Sequence, residues 1–250
     1  MQLADLAAYL DEYLEVTRFR DSPGAMNGLQ AEGRPEVRRA ALAVDACLAT
    51  IEAAAASGAD LLLVHHGLFW EPVAPLTGPR YRRLAALMRS GLAVYSCHLP
   101  LDAHPEVGNN AVLARLLGLS PEGRWGEVEG VPIGVWCPAG LARQELAERI
   151  RRALGVEPLV IGTGPETCRR IGIVTGAGGT WIGRAAEAGC DTLVTGEGPH
   201  HTYFHAEELG INALYAGHYA TETVGLRAIG AHLAERFGLE TVFLDHPTGL

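Results

Sequence analysis

Three short runs in this 250-residue chain carry side chains suited to divalent metal ions: His65-His66, HLPLD from His98 to Asp102, and HYATE from His218 to Glu222. His65 and His66 close the apolar run LLLV, and ligands of open α/β sheets bind at the carboxyl ends of strands. Successive strand residues face opposite ways, so this pair is expected to serve two neighbouring ions rather than one. A turn whose imidazoles are solvated or bonded to backbone is the plain alternative. His218 and Glu222 stand at i and i+4, the spacing that brings two side chains to one helix face. The alternative there is a carboxylate favoured by the helix macrodipole beside an unrelated histidine. Together the runs offer imidazole nitrogens and carboxylate oxygens without thiolate, a set that suits zinc, iron, manganese or cobalt. The expectation is a pair of divalent ions in one pocket built from both ends of the chain, held by His65, His66, Asp102, His218 and Glu222. Glu222 has the reach to bridge ions roughly 3.5–4 Å apart, and open positions would admit water made acidic enough to act as a nucleophile. His98 is then the expected proton-transfer residue.

Other candidates lie nearby. His200, His201 and His205 fall in EGPHHTYFHAEE, where they would line the pocket and bind substrate, or simply occupy a solvated helix start. His104, His232 and His246 read as surface or structural. In TGAGG, Gly176, Gly178 and Gly179 precede a helix, where backbone N–H groups can hold an anion such as phosphate. Tight-turn geometry accounts for them as well.

These residues need a scaffold, and the composition supplies one. With 48% hydrophobic and 20% charged residues, the chain has the makeup of an ordinary globular α/β protein. A net charge of −9 without a basic run argues against nucleic acid or an anionic membrane as partner. Five cysteines, odd in number, widely spaced and without a Cys-x-x-Cys pair, argue against a disulfide framework or zinc knuckle and read as small buried apolar residues. The N-terminus is acidic and amphipathic rather than a signal peptide, and no apolar stretch reaches the ~20 residues of a membrane span, so the cytoplasm is the expected location.

Leu3, Leu6, Leu10 and Leu14 predict a helix, followed by a loop in the turn-rich DSPGAMNGLQ. RRAALAV, CLATIEAAAAS and ADLLLVHHG then read as strand, helix and strand, a β-α-β unit with a parallel sheet. A helix from about Arg82 to Ser90, the strand LAVYSCH and the helix GNNAVLARLLGL follow. The later half repeats the plan. ASGADLLLVHHG lies over EAGCDTLVTGEG and VYSCHLPLD over LYAGHYATE, pairing Asp60 with Asp191, Tyr95 with Tyr215, His98 with His218 and Asp102 with Glu222. The expected fold is therefore two related α/β/α lobes with mixed sheets, residues 1–125 and 126–250, trading elements where needed, with the metal site at their junction.

The runs NGLQAEG, GADLLLVHHGLFW, YSCHLPLDAHPEVGNNA, TGAGG, TGEGPHHT, AGHYATETVGLRAI and TVFLDHP resemble the Nif-three-like dinuclear metal proteins, also called GTP cyclohydrolase 1 type 2 homologues. The resemblance covers nearly the whole chain in its short form, without an inserted domain. It implies an α/β/α two-lobe subunit, a toroidal homohexamer, and two divalent ions per subunit (zinc, iron or manganese) on His65, His66, Asp102, His218 and Glu222. Two functions follow: a metal-dependent hydrolase acting on a small nucleotide-like or phosphorylated substrate, or a non-catalytic ring that stores, delivers or senses metal.

Overall fold

The computed structural model describes residues 1–250. In chain order its elements are α1 (Leu3–Tyr13), β1 (Gly28–Ala31), β2 (Arg39–Asp45), α2 (Leu48–Ala56), β3 (Leu61–His66), α3 (Gly78–Ser90), β4 (Ala93–Ser96), α4 (Leu99–Ala103) and α5 (Asn109–Leu116). There follow β5 (Gly123–Val128), β6 (Val131–Ala142), α6 (Arg143–Leu154), β7 (Leu159–Gly162), β8 (Thr167–Ile173), α7 (Ile182–Glu187), β9 (Thr192–Thr195), α8 (Thr202–Leu209), β10 (Asn212–Tyr215), α9 (His218–Phe237) and β11 (Glu240–Phe243). Two compact units result: Met1–Leu101 with Leu226–His246, and Asp102–Gly225 with Pro247–Leu250. The chain thus changes unit within α4 and again within α9, not at the 125/126 boundary that the composition shift suggests. The glycine- and tryptophan-rich stretch near that point is a hairpin, β5 paired antiparallel with β6, inside the second unit.

The first unit is built on a sheet of order β1-β4-β3-β2-β11. β4, β3, β2 and β11 are parallel and β1 joins antiparallel. β3 is apolar without alternation because helices cover a parallel sheet on both faces, and its first five residues are buried. Ile51 and Ala54 of α2 and Leu87 of α3 pack there with Leu62, Val64 and Val94. Leu3, Leu6 and Leu10 are the buried stripe of α1, at the spacing an amphipathic helix requires. The turn-rich segment expected as a loop runs into β1, a four-residue strand that begins where Gly28 faces Ser96.

The second unit has the order β5-β6-β8-β9-β10-β7, with β8, β9 and β10 parallel and their flanking strands antiparallel. Its core is the same in kind, with Leu146 and Ile150 of α6 against Cys137, Ile171 and Val194. The internal repeat is visible in hydrogen bonds. Asp60 accepts from the backbone N–H groups of Arg38 and Arg39, and Asp191 accepts from those of Arg169 and Arg170. The third strand of each repeat corrects the residue matching by one. Tyr95 pairs with Leu63 and Leu214, not Tyr215, pairs with Val194. The extra residue is taken up just before α9, where Gly217 turns with φ +86°. No helix is long and apolar enough to cross a membrane.

Candidate functional site

Two donor sets emerge, one in each unit. In the first, β3 delivers His65 and His66 at its carboxyl end and the turn after β4 delivers His98. The ligating atoms of the three lie within 4.8 Å of one another, and the His65 ring centroid is 4.8 Å from that of His66 and 4.9 Å from that of His98. Consecutive strand residues should diverge, so the closeness of His65 and His66 needs a cause. Each ring is tied to a different neighbouring strand: His65 Nδ1 donates to the Cys97 carbonyl beyond β4 at 2.9 Å, and His66 Nδ1 to Asp45 Oδ1 at the end of β2, also at 2.9 Å. His98 Nδ1 donates to Asp21 Oδ1 at 2.8 Å. The Asp21 carboxylate also accepts from the Leu99 N–H and from Asn27 Nδ2, while Asn27 Oδ1 accepts the His98 N–H. The loop before β1 is therefore a clamp on His98. Trp70 lies edge-on to both His66 and His98, with centroids 5.2 and 4.8 Å away.

In the second unit, α9 places His218 Nε2 3.1 Å from Glu222 Oε1, an i,i+4 pair as the spacing predicts. His218 Nδ1 donates to Glu197 Oε1 at 2.7 Å. Burial works against charge on His218, but the hydrogen bond and charge of Glu222, followed by those of Glu197, win and raise the imidazole to about 9. Asp102 is buried and accepts from Asn109 Nδ2 at 2.8 Å and from Thr175 Oγ1 at 3.2 Å. The next residue, Gly176, passes so close to Glu222 that a Cβ there would overlap Oε1. Thr175 and Gly176 thereby bring both carboxylates to one loop. At Gly178 a Cβ would meet Val174 and Thr195, and at Gly179 the backbone of Glu197 and Gly198, so close packing alone calls for glycine at all three positions that were candidates for anion binding.

His200 and His201 are exposed, and their ring neighbours are Phe204 and His205. His104 is buried and accepts the Glu106 and Val107 N–H groups at Nδ1, while His232 stacks on Tyr13; both are structural. Sequence reasoning missed Asp21, Asp45, Glu197 and Asn109, which orient the candidate ligands.

The donor chemistry fits divalent metal. A histidine that ligates through Nε2 almost always donates its Nδ1–H to a carbonyl, carboxylate or water, which fixes tautomer and ring orientation. His65, His66, His98 and His218 all meet that condition. Fold and site together define an α/β protein with histidine and carboxylate donor sets able to bind metal. The family model Duf34/NIF3 (NGG1p interacting factor 3) matches residues 1–249, and the chain belongs to that family. A protein of Deinococcus radiodurans named GTP cyclohydrolase 1 type 2 homolog is 46% identical over 98% of this chain and 94% of its own length. A namesake in Pyrococcus abyssi is 43% identical over the full length of both. The crystal structure of TTHA1606 from Thermus thermophilus superposes with a TM-score of 0.91, at 44% identity over all of both chains.

Proposed function

We propose that the chain is a dinuclear divalent-metal protein acting as a hydrolase on a small nucleotide-like or phosphorylated compound, with His65, His66, Asp102, His218 and Glu222 as ligands. The observation that carries this reading is the fixing of the three ligand imidazoles, His65, His66 and His218, at Nδ1 by carbonyl or carboxylate acceptors. The name shared by the relatives supports a nucleotide as the substrate class. Zinc, iron and manganese all suit the donor set, and when bound such ions supply Lewis acidity and lower the pKa of water. The remaining work falls to the chain's own groups. Asp45 and Glu197 orient His66 and His218, and Asn109 and Thr175 hold Asp102. His98, with Nδ1 engaged by Asp21, offers Nε2 for taking up and returning a proton. We extend the proposal to a homohexamer in the cytoplasm, the assembly checked by sedimentation.

Elemental analysis of protein purified without added metal tests the core of this reading. Two ions per chain are expected, with fewer in Glu222→Ala and turnover on a panel of nucleotides and phosphoesters lost in that variant. Unchanged metal content and turnover in Glu222→Ala would overturn it. Readily exchanged metal without turnover in the unaltered protein would replace hydrolysis by metal storage or delivery.

A further inference from the structure

Beside the first donor set lies a cavity that metal binding does not use. Its volume is about 550 Å³, within the range of small-molecule sites, and Phe69, Trp70, Val73 and Leu84 line it together with Arg80 and Arg83. Trp70 joins it to the histidines, because it is part of the lining and its ring contacts His66 and His98. The local chain path explains the arrangement. Directly after the histidine pair the Leu68 N–H is caught by Gln30 Oε1 at 2.7 Å. Gly24 then passes against the backbone of the next two residues, where a Cβ would stand 2.9 Å from the Phe69 carbonyl oxygen and 3.0 Å from Trp70 Cα. Two aromatic side chains and Val73 are thereby left exposed, apolar surface of the kind that lines ligand-binding grooves.

The other wall is charged. Arg80 and Arg83 share one carboxylate, Glu71, at 3.0 and 3.2 Å, so one positive charge is not cancelled locally. Arg83 Nε is shielded from solvent and makes no hydrogen bond, a condition that costs free energy, while the rest of the guanidinium stays partly exposed where an anion can form a charge-assisted hydrogen bond. We infer that this cavity takes a small molecule composed of a flat apolar ring and a carboxylate or phosphate, the ring against Phe69 and Trp70 and the anion against Arg80 and Arg83. It is the substrate subsite of the neighbouring histidines, an assignment that rests on the metal-dependent function proposed above.

The test uses three probes on the full chain, 2-naphthoate, 2-naphthyl phosphate and the neutral 2-naphthylmethanol, followed by calorimetry and tryptophan fluorescence. At least one anionic probe is expected to bind on the order of tenfold more tightly than the alcohol, as one charge-assisted hydrogen bond would provide, and the tighter of the two identifies the anion. Arg83→Met should erase that preference and leave the alcohol unaffected, Arg83→Lys should keep part of it, and Val73→Asp should weaken all three probes. Circular dichroism verifies that each variant is folded. Anions that bind no better than the alcohol, or a preference that survives Arg83→Met, would overturn the inference. Probe binding in protein that holds no stoichiometric metal leaves the cavity assignment standing and removes the hydrolase reading; metal binding without probe binding does the reverse.

Discussion

Burial of Asp21 alone would raise its pKa, but the hydrogen bond and charge of His98, with Asn27 and the Leu99 N–H, outweigh that effect and hold the carboxyl at about 2 instead of 3.8. A group whose folded-state value lies below its unfolded one adds stability that is whole above the unfolded value and vanishes as pH falls through the folded one. For Asp21 the window therefore runs from about pH 4 down to about pH 2, and the linked stability is on the order of 2 kcal/mol. Urea denaturation of chelator-treated protein should find Asp21→Asn less stable by about that amount at pH 5 and nearly equal to the parent at pH 2. A gap that stays constant with pH would show that the carboxylate acts by shape and not by charge. At this scale the sequence is readable only in part. His65-His66 and the His218–Glu222 spacing announce themselves as local patterns. Their partners do not: Asp21 stands 77 positions from His98, and Asp45 and Glu197 stand 21 positions from the histidines they orient. A lone carboxylate at that remove carries no periodic signal, and only the folding of the strands makes it a neighbour.

Among the elements, the loop between β8 and α7 makes the sharpest demand on residue type. Gly176 has φ +66°, a left-handed conformation that costs other L-residues roughly 1–2 kcal/mol, and it also faces Glu222 where no Cβ fits. Gly130 shares the conformation at φ +81° but has open space where a Cβ would stand. Gly130→Ala should therefore cost only the backbone term of about 1 kcal/mol. Gly176→Ala should cost more, by displacing Glu222, and should weaken metal binding by at least about tenfold in a calorimetric titration, the effect of misplacing a ligand by its supporting contacts. Equal stability losses in the two variants, with metal affinity intact in both, would mean that the loop does not govern Glu222. The helical and parallel-strand elements are evident in the sequence because Leu3, Leu6 and Leu10 repeat with helical period and LLLV is unbroken. β1 is hidden, since a four-residue strand at the end of a run of turn formers leaves too few residues to show alternation. The single-residue slip before α9 is equally invisible, because Tyr95 and Tyr215 match by type while the ladder places Leu214 at the equivalent position.

For the molecule as a whole, the path of the chain is what the sequence concealed. Composition changes where a hairpin begins at Gly123, whereas the units exchange chain within α4 and α9, inside continuous helix and not at a cluster of turn formers. The last strand therefore belongs with the first sheet. β11 pairs in parallel with β2 through Glu240–Phe243, the Leu244 N–H bonds to the Leu42 carbonyl at 2.8 Å, and Val242 and Leu244 pack on the core that holds Ile51 and Leu62. Arg227 lies over the Phe243 ring at 3.8 Å. Ending the chain at Gly238 would strip β2 of one full ladder, exposing its N–H and C=O groups along an apolar edge, a liability for aggregation as well as stability. Hydrogen exchange should then show faster exchange across β2, β3 and β4, far upstream of the cut, together with a shift toward aggregated material on sizing. His65 and His66 end one of those strands, so metal content should fall even though every proposed ligand is retained. Amide protection in residues 39–96 that is unchanged by the truncation would show that β11 is an appendage of the first sheet and not a part of its structure.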